Sequence, residues 1–266
     1  MRILPRRSRS GTEGPSRRRF RRRRRDPEGS MSLLEHLEEL RMRLVWVVVS
    51  VGVAGIAGWV LFDQVVEALL EPARPYLTDL SDGKLIFTGP AEAFTLRIKV
   101  AMYIGFAIAF PIVLFQVWRF VSPGLHRNER RYAVPFIASG IVLFAAGAFL
   151  AWYTLPQALQ YLIGPGITGR NVRPLLSAKS YLDFGLLYLA IFGIAFEFPV
   201  ALTFMALIRV ISSRQMARYR RHVFMGIAVS AAILTPSVDW FTMTALTAAL
   251  YVLYEGCIWL ARLLRR

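Results

Sequence analysis

Long apolar runs separated by short polar segments dominate the chain. Six stand out, roughly Leu44 to Phe62, Val100 to Trp118, Tyr132 to Tyr153, Leu182 to Ile208, Val223 to Leu234 and Trp240 to Leu260. A run of about twenty apolar residues is the length at which a helix crosses a hydrocarbon core about 30 Å thick. The fifth run is short; at about 1.5 Å per residue it reaches only about 18 Å, which calls for a thinned bilayer, snorkelling flanks or burial behind other helices. Ahead of the first run, Ser32-Leu33-Leu34-Glu35 reads as a helix cap with its reciprocal glutamate, and Leu33, Leu37, Leu40 and Leu44 recur at helical spacing. An amphipathic helix therefore leads into the first span. Thr88-Gly89-Pro90 opens another helix whose first turns carry Glu92, Arg97 and Lys99, so its outer end should be wet. Pro72, Pro90, Pro123 and Pro156 read as helix boundaries. The pattern predicts an all-α polytopic membrane protein with six transmembrane helices, and it lacks the internal repeat of inverted-repeat transporters.

Composition agrees, with 55% hydrophobic residues, 19% charged residues and a mean hydropathy of +0.44 over 266 residues. The net charge of +16 is concentrated at the start, where residues 1–30 hold twelve arginines against Glu13, Asp26 and Glu28. That Arg-, Ser-, Gly- and Pro-rich segment has too little apolar surface to fold and is expected to be disordered. We read it as a start-site artefact or a basic membrane-surface tail, with residues 31–266 as the membrane domain. Ser16-Arg17-Arg18-Arg19-Phe20 imitates a twin-arginine export signal, but more arginine follows it rather than an apolar stretch. The remaining basic charge lies in loops and requires no nucleic acid.

An even number of spans puts both termini on one side, and loop charge chooses the side. Four arginines lie between Arg119 and Arg131, five between Arg209 and Arg221, and Arg262, Arg265 and Arg266 close the chain. Those faces are expected to be cytoplasmic. The segment 63–90, read as an exterior loop, has only Arg74 and Lys84 against Asp63, Glu67, Glu71, Asp79 and Asp82.

Within this frame a few residues could carry chemistry. The segment from Phe110 to Glu129 ends a span in aromatic residues, turns at Ser122-Pro123-Gly124, and sets Glu129 among Arg119, Arg127, Arg130 and Arg131. A lone acid among bases fits a receptor for a cationic ligand or a plain loop salt bridge. Glu39 lies on the polar face of the first helix, one turn from Glu35 and Arg43. Glu197 sits mid-span in Ala195-Phe196-Glu197-Phe198-Pro199. An acid there costs about 2.5–3.5 kcal/mol on insertion scales for a comparable aspartate, so it must face protein or a watery cavity. It makes either a functional polar contact or a hydrogen bond that only orients helices. Pro199 can bend that helix. Glu255 is read as structural, within reach of Arg262, and Asp239 as a cap on the last helix.

Cys257 is the only cysteine, and His36, His126 and His222 lack metal-ligand spacing, so neither a metal nor a cofactor is expected. No Walker loop, Gly-x-Ser-x-Gly or His-Glu-x-x-His motif supports an enzyme. A proton-coupled transporter using Glu197, or a scaffold that gathers other membrane proteins, are the rival classes.

From about Met31 onward the chain resembles the TatC family, the multispanning subunit of the twin-arginine protein translocase. The likeness rests on His36-Leu37-Glu38-Glu39-Leu40-Arg41-Met42-Arg43-Leu44, on Phe110 to Arg131, on Phe196-Glu197-Phe198-Pro199-Val200 and on Leu234-Thr235-Pro236. The resemblance implies a cupped, six-helix receptor in the inner membrane of a prokaryote, with both termini cytoplasmic. It implies recognition of twin-arginine signal peptides of folded cargo, single-span partners of the TatA and TatB type, self-association and use of the proton gradient. By the same resemblance Glu39, Glu129, Phe120, Gln116, Pro123, Leu125 and Arg41 belong to the signal-peptide region, and Glu197 and Thr235 to partner contact. Pro72, Pro111 and Asp239 take structural or exterior roles. Met243 stands where some relatives carry glutamine.

Overall fold

The computed structural model describes residues 33–76, 87, 89–124, 130–163, 177–236 and 239–263. The first thirty residues, and with them the expected boundary at Met31, lie outside that set. Among the described residues the chain is all-α: α1 (Leu33–Val60), α2 (Phe62–Leu70), a 3-10 turn (Glu71–Tyr76), α3 (Pro90–Val121), α4 (Ala133–Ile163), α5 (Ala178–Ala195), α6 (Glu197–Leu207), α7 (Ser213–Arg218), α8 (Arg220–Leu234) and α9 (Trp240–Leu263). Among the described residues five segments are long and apolar enough to cross a membrane, namely α1, α3, α4, α5 with α6, and α9. At 15 residues α8 is about 22 Å long, short of the hydrocarbon core as its apolar pattern foretold.

Three expectations need correction. Pro156 does not bound a helix but lies inside α4, which continues to Ile163. Leu155, Ala158 and Leu159 are buried there, so packing outweighs the lost hydrogen bond. The segment 63–90, read as loop, contains α2. Val65, Val66, Leu69 and Leu70 pack against the core, and the signal was their helical spacing. Glu255 pairs with Arg220 at 2.7 Å and accepts the Tyr251 hydroxyl at 3.1 Å, whereas Arg262 stacks over Trp259.

The fourth apolar run is one crossing in two pieces. Pro199 has no N–H to return to Ala195, and the helix breaks at Phe196, the residue shared by the ends of α5 and α6. Glu197 is thus placed at a break rather than within a continuous turn. At its far end α6 closes in a Schellman motif, with Val210 N–H donating to the Met205 carbonyl at 3.0 Å and Arg209 N–H to Ala206 at 3.2 Å. Arg209 occupies the left-handed position, φ 63°, that glycine usually fills.

Helix α1 packs almost entirely on α3. Small residues make the approach possible: a methyl on Gly105 would come within 2.7 Å of the Gly55 nitrogen and the Val51 oxygen. Such close backbone contact is the main source of helix association where lipid is as apolar as the side chains. The core proper lies among α3, α4, α5 and α9, around Val100, Leu155, Tyr188, Phe192, Leu246 and Ile258. At the α2 end of the bundle, Trp152 Nε1 donates to the Ala68 carbonyl at 3.0 Å and the Tyr181 hydroxyl donates to Leu69, fastening α2 over α4 and α5.

Candidate functional site

Away from the glycine contact, the α1 and α3 surfaces carry Met42, Arg43, Trp46, Gln116 and Arg119 instead of small residues, and the helices part. The resulting groove has a volume of about 700 Å³ and is completed by Glu35, Glu38 and Glu39. Helical spacing alone puts Glu35, Glu39 and Arg43 on one face of α1. Arg43 donates to Glu39 Oε1 and reaches Gln116 Oε1 at 3.5 Å, so one guanidinium ties the two helices. The pair is largely shielded, with side-chain exposures of 13% for Arg43 and 19% for Glu39. Glu39 Oε2 is buried without a hydrogen bond among the described residues, and His36 Nδ1 stands 3.9 Å away. The His36 ring in turn stacks on Phe120, centroids 4.3 Å apart.

Of the residues singled out for this region, Glu39, Gln116 and Phe120 therefore come together across α1 and α3. Arg41 is exposed and does not line the groove. Pro123 lies in the half-buried 3-10 turn Ser122–Gly124 that ends α3. Leu125 and Glu129 fall outside the described residues. Chemically, the groove can accept a cation: three carboxylates face two guanidiniums, and one carboxylate oxygen has no hydrogen bond among the described residues.

Glu197 occupies a second polar position. Its carboxylate packs against α4 at Gly140, where an added methyl would meet Glu197 Oε2 at 3.0 Å, while Oε1 is buried without a partner among the described residues. Thr235 is buried at the end of α8, its hydroxyl donating to the Ala231 carbonyl at 2.8 Å. Glu197 and Thr235 thus belong to different elements. Pro111 lies inside α3, and Pro72 is buried in the 3-10 turn after α2. Asp239 caps α9, accepting Thr242 N–H at 2.7 Å and the Thr242 hydroxyl. Met243 packs against the core.

Over residues 35–248 the chain matches the family model of TatC, the Sec-independent protein translocase protein. The chain belongs to the TatC family. The Sec-independent protein translocase protein TatC of Koribacter versatilis is 36% identical over 226 residues, spanning 84% of this chain and 82% of the relative. That of Aquifex aeolicus is 35% identical over 237 residues, spanning 89% and 97%. A crystal structure of the twin arginine translocase receptor TatC is similar at a TM-score of 0.69 and 34% identity, over 87% of this chain and 100% of that one. As a TatC-family member the protein is a multi-pass membrane component of the Sec-independent, twin-arginine translocase, a transport protein rather than an enzyme.

Three neighbours of the TatC-family residues escaped the reading of the sequence as site residues. Arg43 was visible four residues after Glu39, but its bridge to Gln116 needed the α1–α3 register. His36 read as an interfacial histidine, and only the fold sets it on Phe120. Gly140 carries no sequence signal of its role, which is to leave space for the Glu197 carboxylate.

Proposed function

We propose that this chain is the receptor subunit of the translocase, recognising twin-arginine signal peptides of folded cargo with the groove between α1 and α3. The observation that carries this reading is Glu39, a shielded carboxylate with one oxygen held by Arg43 and the other without a hydrogen bond among the described residues. An arriving guanidinium can bind Glu39 Oε2 and share or displace Arg43, and its planar fork fits a carboxylate as a lysine ammonium cannot. Phe120, stacked on His36, offers an aromatic wall at the same place. Glu129, Pro123 and Leu125 continue the site along the chain, and Glu129 supplies the second carboxylate for the second arginine.

In this proposal α8 is a crossing too, the short fifth of six, both termini are cytoplasmic, and the membrane is the inner membrane of a prokaryote. Support comes from the arginines gathered in the segments 119–131, 209–221 and 262–266, set against a segment 63–90 that holds five acids and two bases. Glu197, with a buried oxygen that has no partner among the described residues, meets a polar group of a TatA- or TatB-type single-span partner. Assembly of those partners and of further copies of this chain opens the route, driven by the proton gradient, where short α8 thins the bilayer.

The test is the affinity of the purified full chain for a synthetic twin-arginine signal peptide and its twin-lysine counterpart. Loss of one charge-assisted contact of about 1.5–3 kcal/mol should weaken the twin-arginine peptide about 10- to 150-fold in Glu39→Gln and leave the twin-lysine peptide nearly unchanged. Equal capture of both peptides by the parent protein would refute the reading.

A further inference from the structure

A second groove, of about 660 Å³, lies between α4, α6 and α9 and shares no lining residue with the carboxylate groove. We propose that it holds one acyl chain of an anionic diacyl phospholipid, whose headgroup phosphate rests on Arg131, Arg209 and Arg262.

The walls are the first turns of α4 with Tyr132, the stretch Pro199 to Leu207 of α6, and Val252 to Leu260 of α9. Since α4 begins where α6 and α9 end, all three walls finish at the same end of the bundle, and each finishes in an exposed arginine. Arg131 lies over the Tyr132 ring at 5.1 Å and donates to its hydroxyl at 3.1 Å. Arg262, two residues beyond Leu260, lies over Trp259 at 5.8 Å. Arg209, two residues beyond Leu207, keeps the left-handed conformation at which glycine is usual, so a charged side chain is retained there against the backbone's preference. Aromatic stacking holds two guanidiniums at the rim, and clustered arginines between helices are a headgroup site in electrostatic terms.

The acids near these walls do not compete. Glu255 is taken by Arg220 and Tyr251, and Glu197 stands before Pro199, at the end away from the arginines. Ser139 turns its hydroxyl to the Phe136 carbonyl at 2.9 Å, which leaves the interior apolar. Polarity and charge select the occupant: an apolar groove that ends at three arginines matches an acyl chain joined to a phosphate.

The experiment is native mass spectrometry of the full chain in neutral detergent, titrated with phosphatidylglycerol or with phosphatidylcholine of the same acyl chains. One phosphatidylglycerol should be retained in preference to phosphatidylcholine. Arg131→Gln, Arg209→Gly and Arg262→Gln should each weaken it about fivefold, and Arg74→Gln, at the other end of the bundle, should not. Arg209→Gly relieves backbone strain, so its loss of lipid cannot be laid to unfolding. A side chain at Gly256 enters open groove space, with nothing within 4 Å of its added carbon, so Gly256→Phe should expel the lipid without disturbing the helices. Equal retention of the two lipids, or undiminished phosphatidylglycerol on Gly256→Phe, overturns the proposal. So does a groove claimed by peptide, seen as a signal peptide that displaces the lipid and is itself weakened by Gly256→Phe.

Discussion

The seam between α1 and α3 makes the sharpest demand on sequence, and a pair of glycine substitutions tests it. A methyl placed on Gly58 would stand 2.5 Å from the Ala101 carbonyl oxygen and 3.1 Å from its carbonyl carbon, where ordinary contact begins at 3.4 Å. Helix α1 would have to retreat by about 0.9 Å to admit it. A radial gap of about 0.5–1 Å forfeits about a quarter to a half of each dispersion contact along the seam. Overpacking of this kind costs about 1–3 kcal/mol, partly offset by the roughly 1 kcal/mol that alanine gains over glycine in a helix. Gly52 is the internal control, because it lies on the same helix with nothing within 4 Å. Thermal unfolding of the purified protein in one detergent should therefore place Gly58→Ala below the parent and Gly52→Ala level with it or above. Because α1 has little other support, Gly58→Ala should also weaken the signal-peptide binding proposed for the groove that α1 shares with α3. If Gly58→Ala melts at or above the Gly52→Ala temperature, the seam is not held by backbone contact and the account of α1 is wrong.

Three further outcomes follow from single contacts. Asp239→Ala removes the cap of α9 and should cost about 0.5–2 kcal/mol in thermal unfolding, with Asp239→Asn retaining most of the stability; equal losses would deny the capping role. A double-mutant cycle on Arg220 and Glu255, whose side chains are 40% and 25% exposed, should show a coupling of no more than about 1 kcal/mol that falls with salt. The same cycle on Glu255 and Arg262 should show none. Tyr181→Phe leaves the Leu69 carbonyl without its donor, so amide exchange should quicken in α2 by an amount matching about 1 kcal/mol while α9 is unchanged; uniform exchange would mean that α2 is fastened otherwise.

Much of the architecture was legible from residue order because its causes are local. Apolar run length marks the long crossings, since each backbone group in lipid must be satisfied within its own helix. Pro199 marked the bend beside Glu197, and Asp239 marked a helix end by a rule that acts over one turn, while the cap expected at Ser32 lies outside the described residues. The same locality explains the errors. Pro156 has the chemistry of a boundary, yet the packing of Leu155, Ala158 and Leu159 carries α4 past it. The partner of Glu255 was sought on its own helix at Arg262, whereas the tertiary fold presents Arg220 from α8.

Residue order alone therefore established a helical membrane protein, the places of its longer crossings and the acids worth attention, because hydropathy and helix-end chemistry are properties of neighbours in the chain. It could not say that Arg43 spans from Glu39 to Gln116, that His36 lies on Phe120, or that Gly140 faces the Glu197 carboxylate. Those relations depend on the distance and register between helices, which are set where small residues such as Gly55, Gly58 and Gly105 let two backbones meet. A site assembled across helices exists only once that contact has formed.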